Sequence, residues 1–380
     1  MSNVIIKEIT PTKGNLKKFV KFPIKLYKGN PYYIPPLIVD EINTLSPDKN
    51  PAFDECETAF FLAYKEGKIV GRIAAIICHE INIQSDDSEV RFGFVDFIDD
   101  KEVVKALFDT VENWAKERHI KKIIGPLGFT DLDHEGMLVD GFEELGTMAT
   151  IYNYPYYPKR IEELGYKPDA EWVEFVFNIP TEIPEKHNRI SEIVKKKFGL
   201  KVKKFNSRKE IKEKYGKEIF QLVNEAYADL YGYCALSEEQ INYYIDLYIP
   251  MLNLDLVSLI VDSEEKLVGI GIAMQSMSRA LQKSKGKLFP FGWIPLLKAL
   301  KGKPNTNDRV DLMLVAVKPE YQGKGVNALL FQDLIPSFNK WGFKYAESNP
   351  ELADNNKVQN QWEAFDHRLH RRRKAFIKRL

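Results

Sequence analysis

The feature that most constrains this chain is that its plan is written twice. A strand–turn–strand signal, FFLAYKEGKIVGRIAAIIC at 60–78, returns about two hundred residues later as LVSLIVDSEEKLVGIGIAM at 256–274. Each is a pair of apolar, β-branched runs joined by a charged turn, the pattern of a β-hairpin. Each also carries Lys-apolar-Val-Gly, at Lys68 to Gly71 and at Lys266 to Gly269. The following elements repeat in the same order. VRFGFVDF (90–97) precedes a helical pattern at 101–119, and RVDLMLVAV (309–317) precedes another at 325–342. Both helices end near a tryptophan, Trp114 and Trp341, and the short strands KKIIG (121–125) and KYAES (344–348) come next. The segment 160–177 then matches 361–378, with Ile161 opposite Trp362 and Phe175 opposite Phe376. Helical stretches at 17–27 and 218–233 open the two halves.

This order predicts an α/β fold of two tandem domains, each a mostly antiparallel sheet flanked by helices. A chain of 380 residues is long enough to fill two cores. The polar stretch IPTEIPEKHNRI (179–190), with two prolines, is the expected linker, which gives domains 1–180 and 181–380. The second carries an insertion at about 279–307.

Net charge is only +1, so no global field draws the chain to nucleic acid or to an anionic membrane, and nucleic acid is not expected as a partner. Cys56, Cys78 and Cys234 lie far apart in sequence without CxxC or Cys/His spacing, which predicts neither a metal site nor a disulfide framework. The start, MSNVIIKEIT, has no apolar signal core and no run is long enough to span a bilayer, so a cytoplasmic protein is expected. The basic stretch DHRLHRRRKAFIKRL (366–380) reads as a solvated surface or as an anion site. Phe376, Ile377 and Leu380 alternate with its charges like the faces of a strand.

The joint between strand and helix in the second half carries the chemistry. The strand ends at Val317, and KPEYQGKG opens directly into a helix. Glycines there permit a tight turn and close backbone approach to a ligand. Free N–H groups at the helix start, the helix dipole and Lys324 suit a pyrophosphate. The first half has DFIDDKEVVKAL at the same place, with Asp99 and Asp100 where an anion would sit.

Gln322-Gly323-Lys324-Gly325-Val326-Asn327, after a strand running into Val-Lys-Pro-Glu-Tyr, resembles the acyl-CoA-binding element of the GNAT superfamily. Asn327 stands where that family usually has Gly or Ala. The paired halves and the stretch AESNPELADNN look like a bacterial group of tandem GNAT-type proteins. The resemblance implies a splayed sheet, with Leu314, Val315, Ala316 and Val317 along the pantetheine arm and KYAES on the other side of the splay. It implies an acyl-CoA-dependent N-acyltransferase that uses acetyl-CoA or a longer acyl-CoA, with no metal. Asn355 opens a partly kept late element of the family, whose usual tyrosine position holds Trp362. The first domain then reads as GNAT-like without a CoA site.

Amine acylation needs a proton acceptor near the thioester. Glu347, on the strand beside the splay, is the first candidate, with Asp311 at the start of the splayed strand and Asn349 just past Glu347. Glu351 follows in the next loop, and an ion pair is the other role open to Glu347. The oxyanion donor implied by the resemblance is the backbone N–H of Val315 or Val317. A small-molecule or lipid amine is the expected acceptor; a non-catalytic acyl-CoA-binding or sensing protein is the alternative.

The Gly- and Tyr-rich stretch 125–157 is read as connection or as a wall of the acceptor pocket, with His134 its one histidine. The excursion 279–305 has an apolar centre, LFPFGWIPLL, among lysines and an arginine. It is read as a lid over the protein's own pocket or as a segment in a membrane interface, which would put the protein peripherally on the inner membrane surface. Either version points to a hydrophobic, long-chain acyl donor or acceptor.

Overall fold

The computed structural model describes residues 3–83, 86–302 and 304–380, apart from the side chains of Asn356 and Lys357. Lys303, part of the excursion, lies outside the described residues. In chain order, β1 (Val4–Glu8), α1 (Lys13–Leu26) and α2 (Ile38–Thr44) lead into the hairpin β2 (Cys56–Lys65) and β3 (Lys68–Cys78). Then come α3 (His79–Ile83), β4 (Glu89–Phe97), α4 (Lys101–Lys116), β5 (Lys122–Gly125), β6 (Met137–Asp140), α5 (Tyr156–Glu162) and β7 (Lys167–Asn178). The second half runs α6 (Glu185–Phe198), β8 (Lys201–Lys203), α7 (Arg208–Tyr227), α8 (Glu238–Tyr248), β9 (Val257–Val261) and β10 (Leu267–Gln275). It continues with α9 (Ser278–Ser284), α10 (Trp293–Leu300), β11 (Arg309–Val317), α11 (Asn327–Trp341), β12 (Tyr345–Glu347), β13 (Glu351–Leu352), α12 (Asn356–Gln359) and β14 (His367–Arg379).

Two compact units emerge, and neither is contiguous in sequence. Unit 1 is 1–172 with 278–296 and 371–380; unit 2 is 173–277 with 297–370. The bounds of these units differ from the division at 180/181 drawn from the sequence in three places. Unit 1 orders its strands β1-β2-β3-β4-β5 and completes the sheet with β14 from Arg371 onward, where Phe376 pairs with Gly125 and Arg379 with Lys122. Unit 2 orders its strands β8-β9-β10-β11-β12 and completes the sheet with β7 from Val173 onward, where Asn178 pairs with Tyr345 and Val176 with Glu347. The terminal strands of the two repeats are exchanged. Among the strand pairs of the described residues, β4 with β5 and β11 with β12 run parallel, and their neighbours in each sheet pair antiparallel.

The repeated glycines have a packing reason. A Cβ on Gly71 would lie 2.6 Å from Leu107 of α4, and one on Gly269 would lie 3.4 Å from Val326 at the start of α11. In both units the helix after the splayed strand seats on the hairpin there. α11 buries Leu329, Leu330, Leu334, Ile335 and Phe338 on its sheet-facing side, each such side chain worth roughly 1.5–3 kcal/mol of transfer free energy. In unit 1 a buried polar network ties α1 to β3 and β4. Tyr27 donates to Asp96 (2.9 Å), Asp96 accepts from Arg72 (2.8 Å), and Arg72 also reaches Glu41 (2.7 Å).

The basic stretch 366–380 forms β14, not a loose solvated tail. Arg371 and Arg373 are each 1% exposed, and their guanidinium groups donate to the carbonyls of Leu145 and Ile151. The hairpin also brings together two cysteines that looked remote. Cys56 and Cys78 are register partners on β2 and β3, with their Sγ atoms 3.3 Å apart and no disulfide between them. Among the described residues no helix is long and apolar enough to cross a membrane.

Candidate active site in the second unit

β11 pairs with parallel β12 only from Arg309 to Asp311. Beyond Asp311 the two strands diverge, and the free edge of β11 faces the opening. A bulge at Met313 sharpens the divergence: Ile272 pairs with Leu314 and Ala273 with Leu312, which leaves Met313 without a cross-strand partner on β10. Asn349 donates to the Met313 carbonyl at 2.8 Å, and the Tyr227 hydroxyl of α7 donates to the Val315 carbonyl at 2.9 Å. Of the four residues expected along this edge, Val315 is exposed, Leu314 is half-buried, and Ala316 and Val317 are buried. Gly271, Leu312, Val315, Leu330 and Phe331 wall a small cavity here, with Asn327 and Gln361 at its polar side.

The turn after Val317 has the geometry an anion needs. Gly323 and Gly325 have φ of 71° and 85°, values that L side chains rarely adopt. A Cβ on Gly325 would meet Ile190 of α6 at 2.6 Å, whereas one on Gly323 meets nothing within 4 Å. Among the described residues the N–H groups of Gly323, Gly325 and Val326 have no acceptor. They sit at the start of α11, where the helix dipole adds partial positive charge. Lys324 lies over the rings of Phe198 and Tyr321, at 5.6 and 5.7 Å from their centroids. Gln322 turns back to the Val317 carbonyl (3.1 Å), and Asn327 bonds Gln361 (3.1 Å). The Asn355 side chain accepts from Val358 N–H at the start of α12.

Unit 1 has the same splay without the same vacancy. β4 pairs with β5 only over Glu89–Arg91, and Phe94 takes a positive φ of 45° where the strands part. A Cβ on Gly93 would lie 2.2 Å from the Leu127 carbonyl, so the chain after β5 lies against β4 and fills the gap. At the start of α4 the Asp100 carboxylate already takes the N–H groups of Glu102 (2.9 Å) and Val103 (3.4 Å). The amides that stand free in unit 2 are here capped by the chain itself.

The carboxylates of unit 2 differ in their surroundings. Glu347 and Asp311 are register partners, 3% and 1% exposed. Glu347 is ion-paired with Arg309, and His370 Nε2 lies 4.0 Å from its carboxylate. Glu351, two residues beyond Asn349, has another setting. Both its oxygens lie 3.0 Å from Trp362 Nε1, and burial pushes its carboxyl up to about 7 against the pull of the Trp362 and Ser348 hydrogen bonds. Trp362 is 2% exposed and stacks on Phe177 at 4.9 Å. It therefore orients Glu351 and has no acidic hydrogen to give a departing thiolate. The hydroxyl at the splay is that of Tyr227, which the sequence reading missed. Its only sequence signal is a tyrosine at the end of an amphipathic helix.

In unit 1 the stretch 125–157 includes the half-buried carboxyls of Asp131 and Glu135. Desolvation raises Asp131 to about 6, with Arg91 opposing. Glu135 is raised by desolvation and by the charge of Asp131, with Arg91 and Arg373 opposing. His134 is exposed and hydrogen-bonded to the Met148 carbonyl at 2.9 Å.

No family model matches the chain. It is similar to Protein YghO of Escherichia coli (strain K12), 28% identical over 377 residues that cover 97% of this chain and 94% of that protein. It is similar to the bacterial ceramide synthase of Caulobacter vibrioides (strain NA1000 / CB15N), 28% identical over 323 residues, 82% of this chain and 80% of that one. Among solved structures, a tandem GNAT protein from the clavulanic acid biosynthesis pathway superposes with a TM-score of 0.56 at 10% identity, covering 99% of this chain and 98% of the other. A GCN5-related N-acetyltransferase from Sphaerobacter thermophilus gives 0.51 at 11% identity, covering 100% and 96%.

Proposed function

The chain has the tandem GNAT fold, and from that premise we propose that unit 2 moves an acyl group from an acyl-CoA thioester to the nitrogen of a long-chain amine. What carries the reading is the turn Gln322–Val326, whose free N–H groups open beside the unpaired edge of β11. The turn holds the pyrophosphate, and the edge from Leu314 to Val317 holds the pantetheine arm. A lipid amine is favoured by the similarity to a ceramide synthase, because a ceramide is the amide of a long-chain amino alcohol.

The chemistry asked of the residues is modest. The amine attacks as free base, a C–N bond forms, the C–S bond breaks, and the nitrogen sheds one proton while the thiolate gains one. Glu351 takes the proton. A carboxyl poised near neutrality is matched to that task. Glu347, buried and paired with Arg309, fixes the parallel end of the splay and keeps Asp311 and β12 in register. Tyr227 supplies a proton to the leaving sulfur. An N–H of β11 polarises the thioester carbonyl.

The test couples binding to turnover. CoA thiol release and the mass of the amide product are followed with a chain-length series of acyl-CoAs and amines. The Gly323→Asp variant puts a charge at the turn in a residue that tolerates positive φ; Gly323→Asn is its neutral control. Asp at 323 should weaken CoA binding by roughly tenfold or more, and Asn should weaken it much less. Equal binding by both variants would move the CoA site elsewhere. Binding without thiol release for any amine would make the chain an acyl-CoA sensor.

A further inference from the structure

The excursion after β10 is divided: residues 297 onward belong to unit 2. From Ser278 to Leu296 it belongs to unit 1 and is fixed there by specific bonds. Ser278 Oγ donates to the Gly146 carbonyl (2.9 Å), and Gln282 Nε2 donates to the carbonyls of Pro31 (2.8 Å) and Tyr33 (3.1 Å). The Gly286 carbonyl accepts from Ile38 N–H at 2.9 Å. Ala280, Leu281 and Leu296 are buried. The segment is therefore anchored at its base.

Its tip is the reverse. The loop 287–293 closes on itself, with Trp293 N–H on the Leu288 carbonyl at 2.8 Å and Trp293 Nε1 on the Pro290 carbonyl at 3.2 Å. A Cβ on Gly292 would lie 1.8 Å from the Lys287 carbonyl, so only glycine lets the loop fold this tightly. That closed loop holds out Phe289, Phe291 and Trp293, which are 78%, 71% and 43% exposed. Single exposed apolar residues need no explanation, but three large rings held in one rigid loop do. Around its base stand Arg279, Lys283, Lys285 and Lys287, all exposed. None of the four makes an ion pair among the described residues. No Asp or Glu occurs in the sequence from Lys266 to Asn307.

We propose that this loop is a docking surface for an anionic lipid bilayer: the three rings enter the interface and the cations of α9 and the loop base meet the headgroup phosphates. Charge complementarity selects this occupant. A protein partner or a second copy would favour an apolar patch carried with charges of both signs, whereas the segment that carries these rings bears cations and no carboxylate. Aromatic rings bounded by lysines are the composition of an interfacial anchor, and each lysine near an anionic surface adds attraction that salt weakens. The inference is independent of the acyl-transfer reading, since binding is measured without substrate.

The experiment is flotation of the full chain with vesicles of equal parts phosphatidylcholine and phosphatidylglycerol, against vesicles of phosphatidylcholine alone, at low and high salt. The wild type should float with the anionic vesicles and be released by salt. The Phe289→Ser, Phe291→Ser, Trp293→Ser triple variant should stay at the bottom. The Lys283→Glu, Lys285→Glu, Lys287→Glu variant should partition on the order of a hundredfold more weakly. All six positions are exposed, and matching thermal melts show that the variants fold. Quenching of tryptophan emission by brominated lipid, lost in Trp293→Phe, would place the ring in the bilayer. Failure of the wild type to float at low salt overturns the proposal. So does flotation unchanged in both triple variants, or a self-association that the ring variant abolishes in place of vesicle binding.

Discussion

Burial of a single carboxyl decides most at the residue scale. Glu351 has its folded pKa raised from 4.5 to about 7, so the folded state favours the protonated form. The stability it contributes is fully present below about 4.5 and is lost as pH rises through about 7. Base catalysis runs the other way, because only the ionised form accepts a proton. Turnover should climb with pH through about 7, and Glu351→Gln should remove that limb and lower the rate on the order of 10²–10⁴-fold. A variant rate with the same pH profile as wild type would exclude Glu351. Denaturation of Glu351→Gln followed across the same window should lack the wild-type fall in stability. Glu351 was visible in the sequence only as one acid among several in ESNPELADNN. Desolvation depends on what surrounds a group, and Trp362, which covers Glu351, is itself stacked on Phe177 from a distant segment.

At the scale of elements, the sequence was a good guide wherever the pattern is local. The strand 309–317 was read with its observed bounds, and the hairpins, α4, α11 and β12 were read within a few residues of theirs. The partner strands of β7 and β14 were not legible. Both segments carry the same apolar pattern because they are copies, so either fits either sheet edge by alternation alone. The repeat that disclosed the fold thereby concealed the exchange. The network joining α1 to β3 and β4 was also invisible, since its members are scattered from Tyr27 to Tyr157. Asp96→Ala should destabilise unit 1 by about 3–5 kcal/mol, because it leaves the Arg72 charge buried with only Glu41 beside it. Asp96→Asn keeps a hydrogen-bond acceptor and should be milder. Amide hydrogen exchange in α1 and β4 is the measurement, and full protection in Asp96→Ala would show that the network is dispensable.

For the molecule as a whole, the exchanged strands make each half of the sequence depend on the other. A chain ending at residue 366 should lose the fold of unit 1, though it keeps every residue of the first repeat. Supplying residues 367–380 as a separate peptide should restore protease resistance to that unit. A stable unit 1 in the shortened chain would show that β14 is only an addition to the sheet. The exchange has a further consequence in time. A ribosome makes β5 early but reaches Arg371 only after all of unit 2 has been translated. At about 5–20 residues per second, the unpaired edge of β5 waits on the order of ten to fifty seconds for its neighbour. Unit 2, by contrast, has β7 in hand from the start. The half of the protein that leaves the ribosome first is therefore the half that finishes folding last, with a bare strand edge for a nascent-chain chaperone to cover in the interval.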